Sequence, residues 1–531
     1  MRRERLLAVA VGAAILAGPW LAPAPHPGPA PDGPPSSERG GRSPAPVLTA
    51  PARVAVPAEP TTVLAVDDPV ALAVATSSAL FGSAPVAVLV AADDSAGQRA
   101  AAAVAERVGA PLLLTPADGA LAGGDPSGGD PPGADPAGVG AELARLGTRT
   151  FLAVGERAVH WAEAAGGSAD VVTDEGALPP AAAPAARSNV LVLVPDQQRT
   201  LAAAATARAS GARTIEVPGG DPRRDPTRIP ADVARTDRSS TRLLALGSEF
   251  GSRELLDRRL AVAATGTQLP GGGQLAFPGR RIVALYGHPG APALGVLGEQ
   301  GPVASVARAG ALAAEYREIV DEPVVPAFEI ITSVADTVPG PDGDYSAEAS
   351  VEELQPWVDA AGAAGLYVML DLQPGRTDFL TQARRYAPLL ARPHVGLALD
   401  PEWRLRPGQR HGEQIGSVAV EEINAVAGWL AELTRDHALP QKLLMIHQFR
   451  TAMIIGRDRL DTSHDELAVL VHADGFGPPG DKIKTWDLLH QLAPDGIHWG
   501  WKNFYDEDRP MFTPAETIRI RPVAPVFVSY Q

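Results

Sequence analysis

The chain has 531 residues, a net charge of -16, 45% hydrophobic residues and 20% charged residues. That length suits about two to four globular domains with sizeable cores, and the acidic balance argues against nucleic acid or an anionic membrane surface as partner, because both reward basic faces. The absence of cysteine excludes disulfides, thiolate metal sites, a cysteine nucleophile and a lipid-bearing cysteine anchor.

Residues 1–24 carry Arg2, Arg3 and Arg5 ahead of the apolar run Leu6–Gly18. A basic segment followed by a short apolar one is the layout of a secretory signal, and the run is too short for a comfortable membrane span. Ala22-Pro23-Ala24 offers a small-residue cleavage site, but Pro25 follows it. Residues 1–24 are therefore read as a signal peptide or an N-terminal anchor, and the protein as exported: extracellular, cell-wall associated or membrane-anchored. Residues 25–60 are rich in Pro, Ala, Gly and Ser and lack apolar periodicity, which predicts a disordered linker.

Between residues 61 and 275, short β-rich runs alternate with Ala-rich helical stretches. The runs are Val63–Val66, Val86–Ala91, Pro111–Thr115 and Thr150–Val154, and then Asn189–Val194, Thr214–Val217 and Leu243–Leu246. Helices are expected over Pro69–Leu80, Ala96–Val108, Gly138–Leu146 and Gln197–Ser210, with a Gly/Asp/Pro-rich surface insertion from Ala117 to Gly138. Strand, helix, strand at this spacing predicts parallel βαβ units, here as a Rossmann-like α/β region of two units. Phe151-Leu-Ala-Val-Gly155 and Leu243-Leu-Ala-Leu-Gly247 suggest that one unit echoes the other. No glycine-rich phosphate loop follows a strand, and the first strand runs into Asp67-Asp68-Pro69, which would repel a pyrophosphate. No cofactor is expected.

The segments Arg107-Val-Gly-Ala-Pro-Leu-Leu-Leu-Thr115, Glu142-Leu-Ala-Arg-Leu-Gly147 and Phe151-Leu-Ala-Val-Gly155 resemble the second type of bacterial cell-wall-binding repeat. The resemblance covers roughly residues 61–165, and more faintly 189–260, and implies a Rossmann-like module that holds a surface protein on wall polymers. The Asp-Arg-Tyr start of that repeat is absent.

Residues 278–531 show strand and helix candidates in alternation. The strands are Ile282–Tyr286, Val324–Ile331, Leu366–Leu370, Val395–Leu399, Leu443–Ile446, Ala468–Val471, Ile497–Gly500 and Val526–Ser529. The intervening helices are Val303–Val320, Val351–Ala364, Asp378–Leu390, Val418–His437, an irregular piece near Asp458–His464, Asp481–Leu492 and Pro514–Ile518, with Ser350, Thr377, Ser417 and Thr513 as expected N-caps. Eight such strands in about 250 residues predict a (β/α)8 TIM barrel, whose chemistry gathers at the C-terminal ends of the strands. Those ends carry Tyr286 and His288, Glu329, Asp371 and Gln373, Asp400, Glu402 and Trp403, His447 and Gln448, His472 and Asp474, Lys502, Asn503 and Tyr505, and Tyr530. So many acids, histidines, amides and aromatics on one rim predict a ligand site.

Paired carboxyl groups with aromatic neighbours suit glycoside hydrolysis. Glu402 is the expected acid. Asp400 would raise its pKa by like-charge repulsion, and Asp371 and Asp474 are candidates for the second carboxylate. The tyrosines, Trp403, Trp499 and Trp501 are candidates for stacking on sugars. Val395-Gly-Leu-Ala-Leu-Asp400-Pro-Glu402-Trp403 resembles the fourth strand of chitinase-type glycosidase barrels. That resemblance implies Glu402 as proton donor and Asp400 as its partner, with Ala398 where the family has a further acid. The expected partner is thus a polysaccharide or cell-wall polymer, with no metal required. Two alternatives stay open. One is a metal-dependent amidohydrolase or deacetylase that uses His288, His447 and His472 with Asp371, Asp400 and Asp474. The other is a glycan-binding surface protein without catalysis.

Overall fold

In the computed structural model the described residues are 51–116, 138–165, 167–178, 188–196, 198–229, 241–491 and 493–531. The expected signal, the expected linker up to residue 50 and residues 117–137 of the expected insertion lie outside them. Among the described residues no helix is long and apolar enough to cross a membrane.

The α/β region contains two four-stranded sheets, both parallel. The first runs Leu112–Thr115, Val86–Ala91, Thr150–Val154, Asp170–Val172 in spatial order. The second runs Thr61–Leu64, Arg242–Leu246, Val190–Val194, Arg213–Glu216. Thr61–Leu64, the earliest strand of the two parallel sheets, therefore joins the second sheet, and the two units interlock where the sequence suggested one after the other. Apolar periodicity identifies a buried strand but not its neighbours, and this is why the swap is invisible in the residues. The helix Leu201–Ala209, in which six of nine residues are alanine, packs against helices Pro69–Leu80 and Ser95–Val108. Thr206 Oγ1 meets the N–H and the carbonyl of Leu112, each at 3.0 Å. Asp68 caps the helix Pro69–Leu80 by accepting from Ala71 N–H, and Asp67 pairs with Arg199. Those two acids have local structural partners.

The C-terminal half is a closed eight-stranded parallel barrel: Arg281–Gly287, Val324–Ala335, Tyr367–Leu372, Val395–Leu399, Lys442–Gln448, Leu467–Ala473, His498–Asn503 and Phe527–Tyr530. The first strand pairs with both the second and the eighth. Alternate residues point inward and form a packed interior of Ala284, Ala327, Met369, Ala398, Met445 and Leu470, among others. The connecting segment closes the bottom, because Leu269, Ala276 and Phe277 belong to the same interior cluster. The other strand face carries Val283, Phe328, Val368, Leu397, Trp501 and Tyr530 against the surrounding helices.

Several local expectations change. Ser350 and Thr513 do form capping boxes, with Glu353 and Glu516. Thr377 does not cap its helix. Asp378 accepts from Thr381 N–H in its place, and Thr377 donates to Asp344. Ser417 is not a cap either, because Val418–Ala419 forms a short strand with Ile454–Ile455 before the helix Val420–Asp436. The expected helix Asp378–Leu390 breaks into Phe379–Arg385 and Ala387–Leu390, where Pro388 lacks an N–H to continue the first.

The α/β region is tied to the bottom of the barrel. Arg223 is 3% exposed and reaches Asp221 at 2.8 Å and Asp465 at 2.9 Å, while Arg259 reaches Asp465 at 2.7 Å. Asp465 lies just before the sixth barrel strand, at the end away from the mouth.

Candidate functional site

Inward alternation continues past the apolar interior and lifts polar residues into the mouth. Glu329 follows Ala327, Asp371 follows Met369, and His447 follows Met445. His472 and Asp474 follow Leu470, and Lys502 follows Gly500. Gly500 is required there, because a Cβ on it would lie 2.4 Å from His472 Cδ2. Asp400 is the first residue beyond the fourth strand and accepts from Glu402 N–H at 3.4 Å. That contact folds Pro401–Trp403 into one tight turn and brings Glu402 over the mouth.

The polar residues form two levels. In the lower one, His447 is fully buried, with Nδ1 3.0 Å from Asp474 Oδ2. Its Nε2 lies 2.8 Å from Glu329 Oε1 and 3.6 Å from Asp371 Oδ1. The Nε2–H is not aimed at either oxygen, so these contacts are ionic and not linear hydrogen bonds. Tyr286 donates to Asp371 at 3.0 Å, and Ser529 Oγ meets His472 Nε2 at 3.2 Å. The upper level lines a cavity of about 540 Å³ with Tyr286, Gln373, Asp400, Glu402, Asp474 and Lys502. Trp403, Phe449, Arg450, Phe476 and Phe504 continue its wall.

The environments push these acids apart. Burial, then the charge of Asp474, raises Glu402 to about 7. Burial and the neighbouring Glu402 carry Asp400 well above the usual carboxylate range, and burial raises Asp371. Burial also opposes ionisation of Glu329 and Asp474, but His447 outweighs it, holding Glu329 at about 2 and Asp474 below its ordinary value. His447, despite its burial, is raised well above the usual imidazole range by the carboxylates of Asp371, Asp474 and Glu329. Burial lowers His472 to about 3. At neutral pH the lower level therefore holds an imidazolium between two carboxylates, and Glu402 above is poised near half-protonation.

No protein family model matches this chain, and no curated protein matches it. The reading of the site rests on its geometry.

Among the sequence-derived site residues, the mouth gathers Tyr286, Glu329, Asp371, Gln373, Asp400 and Glu402, together with Trp403, His447, His472, Asp474 and Lys502. Five lie elsewhere. Asn503 accepts from Trp501 Nε1 and faces Thr517, in the helix layer. Tyr530 meets the hydroxyl of Tyr316 at 2.8 Å on the outside of the barrel. Gln448 donates to the Arg450 carbonyl at 3.0 Å. Tyr505 is 43% exposed and packs on Tyr530. His288 is adjacent in sequence but turns to the Ile331 carbonyl at 2.8 Å. Trp499 and Trp501 also face the helices and are not sugar platforms in the mouth. The reason is common to most of these: a strand end exposes only one parity to the mouth, and these residues have the other. Phe449, Arg450, Phe476 and Phe504 were missed, although they directly follow strand ends that had been singled out.

Three groups among the described residues bring metal-type donor atoms within 4.8 Å of one another: Glu329, His447 and His472; Asp400, Glu402 and Asp474; and Asp342, Asp344 and Glu348. In the first, both ring nitrogens of His447 already face carboxylates. In the third, Asp344 already accepts from Ser346 N–H and Thr377. The second offers only oxygen donors, which suit a hard cation. His288 joins none of them.

The buried imidazolium gives one stability prediction. His447→Leu leaves Glu329 and Asp474 without their counter-charge, and breaking such a pair costs about 3–5 kcal/mol. Urea unfolding should report that loss, and adding Glu329→Leu should recover much of it. A loss below about 1 kcal/mol, the scale of an exposed pair, would show that Glu329 is not ionised in the native protein.

Proposed function

We propose that the barrel is a retaining glycoside hydrolase of an exported surface protein, acting on a polysaccharide or cell-wall polymer. The observation that carries this reading is the pair Glu402 and Asp474 on the cavity wall, each with a carboxyl oxygen within 4.8 Å of the other. That upper bound lies below the about 5–5.5 Å at which retaining enzymes hold their two carboxyl groups, and further still from the roughly 6.5–9.5 Å that inverting ones need to admit a water, so of the two it favours retention. Glu402 would protonate the leaving glycosidic oxygen. Asp474, held ionised by His447, would attack the anomeric carbon and form a glycosyl ester. Water, deprotonated by Glu402, would then release the sugar. Asp400 fixes the turn that carries Glu402, but it is not the group that raises the Glu402 pKa. Asp400 is itself carried well above the usual carboxylate range, and burial and Asp474 do the raising, which corrects the like-charge role expected of Asp400. Trp403, Phe449 and Phe476 offer faces for sugar rings. The resemblance to wall-binding repeats supports a tethering role for the α/β region, and the basic and apolar stretches within residues 1–24 support export.

The test is the anomeric configuration of the first-formed product, followed by NMR on wall and storage polysaccharides. Retention agrees with the proposal; inversion removes Asp474 as nucleophile. A metal-dependent hydrolase is the second reading, favoured by the three oxygens of Asp400, Glu402 and Asp474. Activity abolished by a chelator and restored by a divalent cation would select it.

A further inference from the structure

Lys502 belongs to the hydrolase site by position but has no part in the two-carboxylate chemistry. It is 4% exposed and lines the cavity beside Tyr286, with its Nζ 3.3 Å from the centre of the Tyr286 ring. Among the described residues its ammonium makes no hydrogen bond and has no carboxylate oxygen within 4.0 Å. The other two buried lysines differ. Lys442 donates to the carbonyls of Arg392 and Val395, each at 2.8 Å. Lys482 donates to Asp508 and to the Lys502 carbonyl, each at 2.6 Å. An ammonium has three donors, and none of those of Lys502 meets a protein acceptor among the described residues; the group faces the cavity between the rings of Tyr286 and Phe504, open to a ligand's acceptor. The backbone beneath it is fixed, because the buried Lys482–Asp508 pair grips the Lys502 carbonyl and Asp508 also accepts from Phe504 N–H at 3.0 Å. Among the described residues the other cation on the cavity wall is Arg450, exposed at the rim and likewise with no carboxylate within 4.0 Å. Neither basic group lining the cavity therefore has a direct ion-pair contact, although Lys502 is near enough to Glu329, Asp371, Glu402 and Asp474 to favour their ionised forms.

We infer that Lys502 is the subsite for the carboxylate of an acidic sugar, so that the substrate is a uronic-acid-containing glycan. This rests on the hydrolase reading above. A carboxylate would supply the missing direct acceptor through charge-assisted hydrogen bonds. Glu402 and Asp474 on the same wall disfavour a doubly charged phosphate by repulsion. Arg450 is placed to meet a second acidic unit further along the chain. Lys502 is a specificity-determining residue in this scheme and transfers no proton.

The experiment is calorimetric binding to the full chain carrying Glu402→Gln, which slows turnover enough for binding to be read. Glucuronate and galacturonate oligosaccharides are compared with glucose and galactose oligosaccharides of equal length. The acidic ligands should bind at least about tenfold tighter, as expected for one charge-assisted contact, and Lys502→Met should erase that difference while leaving neutral ligands within about twofold. Lys502→Arg keeps the charge and should retain most of the preference; it also serves if the Met variant does not fold. Equal binding of acidic and neutral ligands, or an equal loss of both in Lys502→Met, overturns the inference and leaves the hydrolase reading standing. Failure of every saccharide to bind overturns both.

Discussion

Glu402→Gln should lower kcat on a polysaccharide by about 10²–10⁴-fold, the usual worth of a positioned general acid. KM should change little, because Gln fills the same space and keeps a hydrogen-bonding head. The loss should shrink for aryl glycosides, whose leaving groups need no proton. The pH profile makes the same point with a definite sign. Glu402 must be protonated to act as acid, and its pKa of about 7 means that activity falls as pH rises through neutrality. Asp474 must be ionised, and it is held below the ordinary carboxylate value, so the acid limb should lie at unusually low pH. The variant should lose the alkaline limb and keep the acid one. Turnover equal to wild type on every substrate would remove Glu402 from the mechanism.

Deleting residues Val526–Gln531 should abolish the native barrel. The strand Phe527–Tyr530 bonds to the seventh strand on one side and the first on the other, so its loss opens the cylinder and exposes two raw edges. It also removes Phe527 and Val528, both fully buried, and the Tyr530–Tyr316 contact. Each such side chain contributes about 1.5–3 kcal/mol by burial. With two ladders of hydrogen bonds added, the loss is on the order of a domain's entire stability, about 5–15 kcal/mol. Near-ultraviolet circular dichroism and thermal melting would read it. A cooperative melt with native-like aromatic signals in the truncated protein would show that the barrel does not depend on closure.

The barrel was legible because its strands are apolar runs separated by amphipathic helices, and because Val395–Leu399 breaks off sharply at Asp400. The ring of polar strand ends was legible for the same reason. Which of them face the mouth was harder to read. His447 and Gln448 are neighbours in sequence, yet one is the charged centre of the site and the other caps a turn outside it. Lys502 and Asn503 part in the same way. Register across the barrel decides parity, and register is set by neighbouring strands that a linear reading does not see. The exchange of Thr61–Leu64 into the second α/β sheet was hidden for a related reason: a four-residue apolar run fits either sheet. The His447–Glu329 contact was beyond reach as well, since the strands that carry it are more than a hundred residues apart.

The Arg223–Asp465 joint fixes a direction of work. The α/β region meets the barrel at its closed base, through the part-buried ionic joint of Arg223 and Arg259 with Asp465. If that region adheres to wall material and the barrel is the proposed hydrolase, the mouth lies at the end opposite the joint, and the barrel would trim what arrives from the far side and spare the polymer it stands on.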